Sequence, residues 1–172
     1  MITVDYQGLA YLHASLELQK KQRNEEAQKM ANLAINKLNY ALELCHKLND
    51  QIGILQSYIY YNLARAYTLI DDYDNAIYNF VEAYVYRQNV SKCSSLPAYF
   101  CASFYVESFL SDIEKNKYML KSQKITKDEC MKKYHEFRNK IDIYQNSASI
   151  SSFAVFGEFY NEIHNLLNNS EE

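Results

Sequence analysis

Residues 57–88 read SYIYYNLARAYTLIDDYDNAIYNFVEAYVYRQ. Tyr60, Leu63, Ala64 and Tyr67 fall at three- and four-residue steps, as do Ala76, Phe80 and Ala83, which is the helical period and not the strand period. Asp71 and Asp72 stand between the two runs and are expected to supply the turn and an N-cap, since an Asp side chain can accept from the free N–H groups of the second helix. The stretch is therefore expected to fold as two helices joined by a short turn. Ala64 and Ala76 are small residues on the surfaces that face each other, so the helices can approach closely there. Tyr60, Tyr67 and Phe80 fill the space where they diverge.

An aromatic, then Leu and a small residue, then Tyr, then Ala and a second aromatic is an order that resembles the tetratricopeptide repeat, a helix–turn–helix unit of about 34 residues. The family usually places Pro after the second helix, where this chain has Gln88. The resemblance implies an all-α fold of antiparallel helical hairpins stacked as a TPR-like α-solenoid. It also implies a non-enzymatic protein- or peptide-binding module whose concave groove is lined by first-helix residues not used for packing within the pair. On this sequence those residues are Tyr58, Tyr61, Asn62, Arg65, Thr68 and Leu69. Tyr58, Tyr61, Arg65 and Thr68 share one helix face by their spacing. Asn62 matches the family's frequent Asn, whose amide can both donate to and accept from a peptide backbone, and Arg65 could hold a carboxylate by two-point contact.

The same pattern extends outward more loosely. Three hairpins and a closing helix are expected within one domain spanning 1–172: a diverged hairpin over 5–48, the clear repeat over 52–89, a second diverged hairpin over 97–144 and a capping helix over 150–168. Ala34, Leu38 and Ala41 repeat the spacing of Ala76, Phe80 and Ala83, and so do Cys130, Tyr134 and Phe137. In the first helices, Tyr6, Leu9, Ala10 and His13, and then Ala98, Cys101, Ala102 and Tyr105, are aligned with Tyr60, Leu63, Ala64 and Tyr67. Ala64 and Ala76 are 12 residues apart, Ala10 and Ala34 are 24 apart, and Ala102 and Cys130 are 28 apart, so the outer pairs are expected to have longer helices or turns. This alignment adds Tyr99, Ser103 and Val106, and Gln7, Tyr11 and Ala14, to the groove.

Local signals place the remaining boundaries. Leu9, Leu12, His13 and Leu16 mark a face of the first helix, and Met30, Ala34, Leu38, Ala41 and Cys45 mark a stripe on the second. Pro97 fits a first helical turn, with Ser94 or Ser95 as its cap, and predicts a fifth helix ending near Lys115. Residues 116–125 look least regular. Thr126 and Glu129 have capping-box spacing before a sixth helix over 127–144, and Phe153, Phe156, Tyr160, Ile163 and Leu167 form the stripe of the capping helix.

Composition narrows the function classes. The 172 residues include three Gly and one Pro, with 48% hydrophobic residues, which excludes a many-stranded sandwich and a disordered chain. Apolar runs are far below the roughly 18 residues of a membrane span, and no secretory signal is evident near Met1, so a cytoplasmic protein is expected. Cys45, Cys93, Cys101 and Cys130 lack metal-ligand spacing and are expected as reduced thiols. Gly8, Gly53 and Gly157 form no phosphate loop, and the four His fall on different expected helices. No catalytic residue, metal or cofactor is therefore expected. The net charge is −3, yet 115–140 carries nine basic residues against three acidic ones. It has no recognition-helix motif, so a protein or peptide partner is expected over nucleic acid or membrane. Two other readings are the peptide-sensing portion of a bacterial intracellular signalling regulator, by likeness to peptide-pheromone receptors, and a homo-oligomeric scaffold that self-associates through Phe100, Phe104 and Phe109.

Overall fold

The computed structural model describes residues 2–48 and 53–142. The fold is all-α. Its helices are α1 (Ile2–Lys20), α2 (Asn24–Lys47), α3 (Ile54–Thr68), α4 (Tyr73–Ser91), α5 (Ala98–Lys121) and α6 (Lys127–Asp142). Among the described residues there is no strand, and no helix is long and apolar enough to cross a membrane. The capping helix expected over 150–168 lies outside the described residues. Each helix packs on the next in the chain, with α3 also reaching α1.

One turn geometry closes the pairs α1–α2, α3–α4 and α5–α6. Gln22, Asp71 and Gln123 adopt left-handed backbone at φ 59°, 58° and 57°. The amide that follows each one donates to a carbonyl five residues back: Arg23 to Leu18 at 3.0 Å, Asp72 to Tyr67 at 3.1 Å and Lys124 to Met119 at 2.8 Å. This is the Schellman arrangement, which satisfies carbonyls left over at a helix end. After the turn, Asp72 caps α4 by accepting from the Asn75 amide at 3.2 Å, as its sequence position predicts. Thr126 and Glu129 exchange backbone donors at 2.9 and 3.2 Å, forming the expected capping box before α6.

In the first pair, α2 buries Ala27, Ala31, Ala34, Leu38, Ala41 and Cys45, close to the stripe read from the sequence. The packing face of α1 differs from the expected one. It runs through Asp5, Gly8, Leu12 and Ser15, while Tyr6, Ala10 and His13 are exposed. Gly8 supplies the close crossing, because a Cβ there would lie 2.7 Å from Leu38 Cγ. Ser15 Oγ donates to the Ala27 carbonyl at 2.6 Å, which satisfies the hydroxyl inside the contact. The alignment of Tyr6, Leu9, Ala10 and His13 with α3 is thus out of register, because Tyr6, Ala10 and His13 face away from the contact that Gly8, Leu12 and Ser15 make.

In the central pair, Ala64, Ala76 and Phe80 are completely buried in one cluster with Tyr61, Tyr67 and Tyr118 against it. The two alanines thus lie in the same buried cluster between α3 and α4. Gly53 enters α3 at φ 75°, a left-handed value, and an added Cβ would stand 2.5 Å from the Tyr86 ring. Tyr86 in turn stacks on Tyr60, with ring centres 5.4 Å apart.

α5 corrects two expectations. It does not end near Lys115 but continues to Lys121, because Ile113, Glu114, Asn116 and Lys117 are buried in the packing of the bundle and Tyr118 stacks on Phe80 at 6.0 Å. Its N-cap is Pro97 itself, with no side-chain cap, and Ser95 Oγ instead lies 3.0 Å from Cys93 Sγ. None of the four cysteines is in a disulfide, and Cys45 and Cys130 lie in the interior.

Candidate functional site

A hollow of about 890 Å³ opens between the C-terminal halves of α1, α3 and α5 and the turn into α4. Leu16, Gln19 and Lys20 come from α1; Tyr61, Arg65, Thr68 and Leu69 from α3; Asp71, Tyr73 and Phe80 from the turn and α4. Glu114, Lys117, Tyr118 and Lys121 complete it from α5. Ring contacts join the walls: Tyr61 meets Phe80 edge-on at 5.7 Å, and Tyr118 lies 5.5 Å from Tyr73.

The shared turn explains why these residues converge. Gln22 lies 49 residues before Asp71, and Gln123 lies 52 after it. Stepping back 49 residues carries Arg65, Thr68 and Leu69 onto Leu16, Gln19 and Lys20, all of which line the hollow. Stepping forward 52 carries Arg65 and Leu69 onto Lys117 and Lys121, which line it too. Helices that enter the same turn in the same register present the same face at the same height.

Sequence-predicted site residues divide accordingly. Tyr61, Arg65, Thr68 and Leu69 stand in the hollow, although Leu69 is largely buried and Thr68 Oγ1 donates back to the Arg65 carbonyl at 2.7 Å. Tyr58 and Asn62 do not line it. Tyr58 turns edge-on to Phe104 at 5.6 Å, and Asn62 is only 8% exposed, inside the packing of α3. Tyr99 and Ser103 lie near the start of α5, about four turns from the hollow; Tyr99 is exposed and Ser103 Oγ donates to its carbonyl at 3.1 Å. Val106 is completely buried, and Gln7, Tyr11 and Ala14 are outside the lining. The outer helices were aligned too far toward their N-termini, which missed Leu16, Gln19 and Lys20 on one side and Glu114, Lys117, Tyr118 and Lys121 on the other.

The back of the α3 wall is polar. Arg87 of α4 is 4% exposed, with its guanidinium carbon 4.3 Å from the Tyr61 ring centre. Its Nη1 donates to the Glu107 carbonyl at 2.9 Å and to Ser111 Oγ at 2.8 Å, and its Nη2 lies 3.6 Å from the Glu107 carboxylate. Arg87 therefore ties α4 to α5 while stacking on a groove residue of α3. Burial lowers the Arg87 pKa and raises that of Glu107, each partly offset by the other's charge. Burial, with Glu114 adding to it, pushes the Tyr61 phenol up to about 12, so this hydroxyl stays a neutral donor and acceptor at physiological pH.

Phe104 and Phe109, two of the rings assigned to self-association, are buried inside the chain. Phe104 meets Phe100 at 4.9 Å and Phe109 meets Tyr105 at 4.8 Å, so that aromatic face packs on its own neighbours. Among the described residues, no three His, Cys, Asp or Glu side chains come together as a metal-ligand set. No protein-family model, curated protein or solved structure matches the chain.

Proposed function

We propose that this chain is a non-enzymatic binding module in which TPR-like helical hairpins stack as an α-solenoid and take up a peptide or protein segment in the hollow between α1, α3 and α5. One observation carries the proposal: three first helices, closed by the same turn, bring residues in equivalent register to a single concavity. The buried cluster of Ala64, Ala76 and Phe80 supports the likeness to the repeat. Tyrosines suit such a role, because Tyr offers a large contact area with a polar tip at low cost in side-chain entropy. Free thiols fit a reducing, cytoplasmic setting.

The test selects peptide ligands on the full chain and measures their affinity for two single variants. Thr68→Arg places a long side chain in the hollow and is expected to abolish binding. Tyr40→Arg, at an exposed position of α2, is expected to leave it unchanged. Equal affinity for both variants rejects the hollow as the binding site.

A further inference from the structure

We infer that the segment bound in this hollow is acidic, an extended stretch of a partner protein with Asp or Glu side chains on either side of an apolar or aromatic residue. The inference rests on the binding function proposed above. Lys20, Arg65, Lys117 and Lys121 line the hollow, against Asp71 and Glu114, with Lys20 also paired to Glu17 at 2.8 Å. The chain as a whole carries −3, so the concavity has the opposite sign to the molecule around it.

The placement of these cations matters as much as their number. They stand on three helices around the rings of Tyr61, Phe80 and Tyr118, so an apolar side chain on that floor would have cationic walls on both sides. Lys117 is only 6% exposed, and its ammonium lies 5.4 Å from the Tyr118 ring centre, while that of Lys121 lies 5.2 Å away. An entering carboxylate would meet Arg65 and Lys121 beside those rings, where the local dielectric is lower than in bulk water and their attraction is correspondingly stronger.

The basic run of 115–140 joins the same account. It begins on the α5 wall and continues along α6, where Lys132 and Lys133 are exposed. Positive charge in this part of the chain, which persists after Lys115 pairs with Asp112 and Lys124 with Asp74, speeds the approach of an acidic chain. A nucleic-acid backbone carries a charge at every nucleotide, which Asp71 and Glu114 would oppose throughout, whereas a peptide can place its few Asp and Glu side chains opposite the cations alone. An acidic protein segment is thus favoured over nucleic acid.

The experiment pans a library of random peptides of about twelve residues, roughly 40 Å when extended, on the full chain. Enriched peptides are expected to carry net negative charge with an apolar residue between acidic ones. Their affinity is expected to drop about tenfold in the Arg65→Gln, Lys121→Gln double variant and several-fold as salt rises from about 0.05 to about 0.5 M. Circular dichroism checks that the double variant keeps its helical content. Neutral or basic peptides that ignore the double variant but are lost with Thr68→Arg overturn the acidic ligand and leave the binding module standing. Peptides indifferent to Thr68→Arg, or no enrichment at all, overturn both. A single-stranded oligonucleotide that displaces the selected peptides at lower concentration than an acidic competitor peptide also overturns the inference.

Discussion

Between α1 and α2 the contact is made by Gly8, Leu12, Leu38 and buried alanines, with Ser15 donating to a backbone carbonyl. Between α4 and α5 it is made by Arg87, Gln88, Ser108 and Ser111, together with ring pairs such as Tyr84 and Phe109 at 6.3 Å. The apolar contact gains stability from close approach, and its tolerance for change is set by volume. The polar contact gains direction, because the two bonds from Arg87 Nη1, to the Glu107 carbonyl and to Ser111 Oγ, fit one position of α5 relative to α4. Arg87 Nε and Glu107 Oε2 nevertheless have no hydrogen-bond partner in the structure, and neither does Asp5 Oδ1 on the packing face of α1, so each contact buries polar atoms that it does not satisfy. The hollow lies beside both kinds of contact, and its α3 wall leans on the polar one through Tyr61.

The sharpest way to break the contrast is Arg87→Ala. It leaves Glu107 and Ser111 without their cation and is expected to cost about 3–5 kcal/mol in chemical denaturation. The double variant Arg87→Met, Glu107→Leu is expected to recover most of that loss, and failure to recover would show that the cation's packing on Tyr61 matters more than the pair.

Alkaline pH comes next. Tyr60 and Tyr61 are each raised from 10.0 to about 12 in the folded state, chiefly by burial, so the native chain holds more protons than the unfolded one across that window. Stability should be complete below pH 10 and fall as pH rises toward about 12. Phenolate absorbance that rises before helical content is lost would contradict this.

In the apolar contact, Gly8→Val is expected to cost about 1–3 kcal/mol by overpacking Leu38. Hydrogen exchange should quicken in α1 and remain unchanged in α5. Asp72→Ala removes the α4 cap and should cost about 1 kcal/mol, read as a lower denaturation midpoint. The smallest effect is a gain: Gln123→Gly relieves a left-handed non-glycine residue and should add about 0.5 kcal/mol. No gain there would mean that the Gln123 side chain contributes contacts of its own.

The central pair was legible because its signals are local and agree with one another. Alanines at the crossing, aromatics beside them and an aspartate at the turn all point to one geometry, and α3 contributes four lining residues named from its pattern. The outer pairs were misaligned because their signals are absent or displaced. The close approach on α1 is made by Gly8, which the repeat-like pattern does not mark, and the left-handed turn positions carry Gln22 and Gln123 where Gly would have announced them. Asn62 looked like a groove residue by its place in the pattern, but α3 buries that side of the helix.

Helical period, the scarcity of glycine and proline, the Asp72 cap and the Thr126–Glu129 box determined from sequence alone that this chain is a series of short-linked helices, because each depends on residues within a turn or two. The register of α1 and α5 against α3, the burial of Arg87 and the gathering of cations around one hollow were decided only in three dimensions. Those features arise from contacts between residues tens of positions apart, where one step in alignment changes which side chains face the same space.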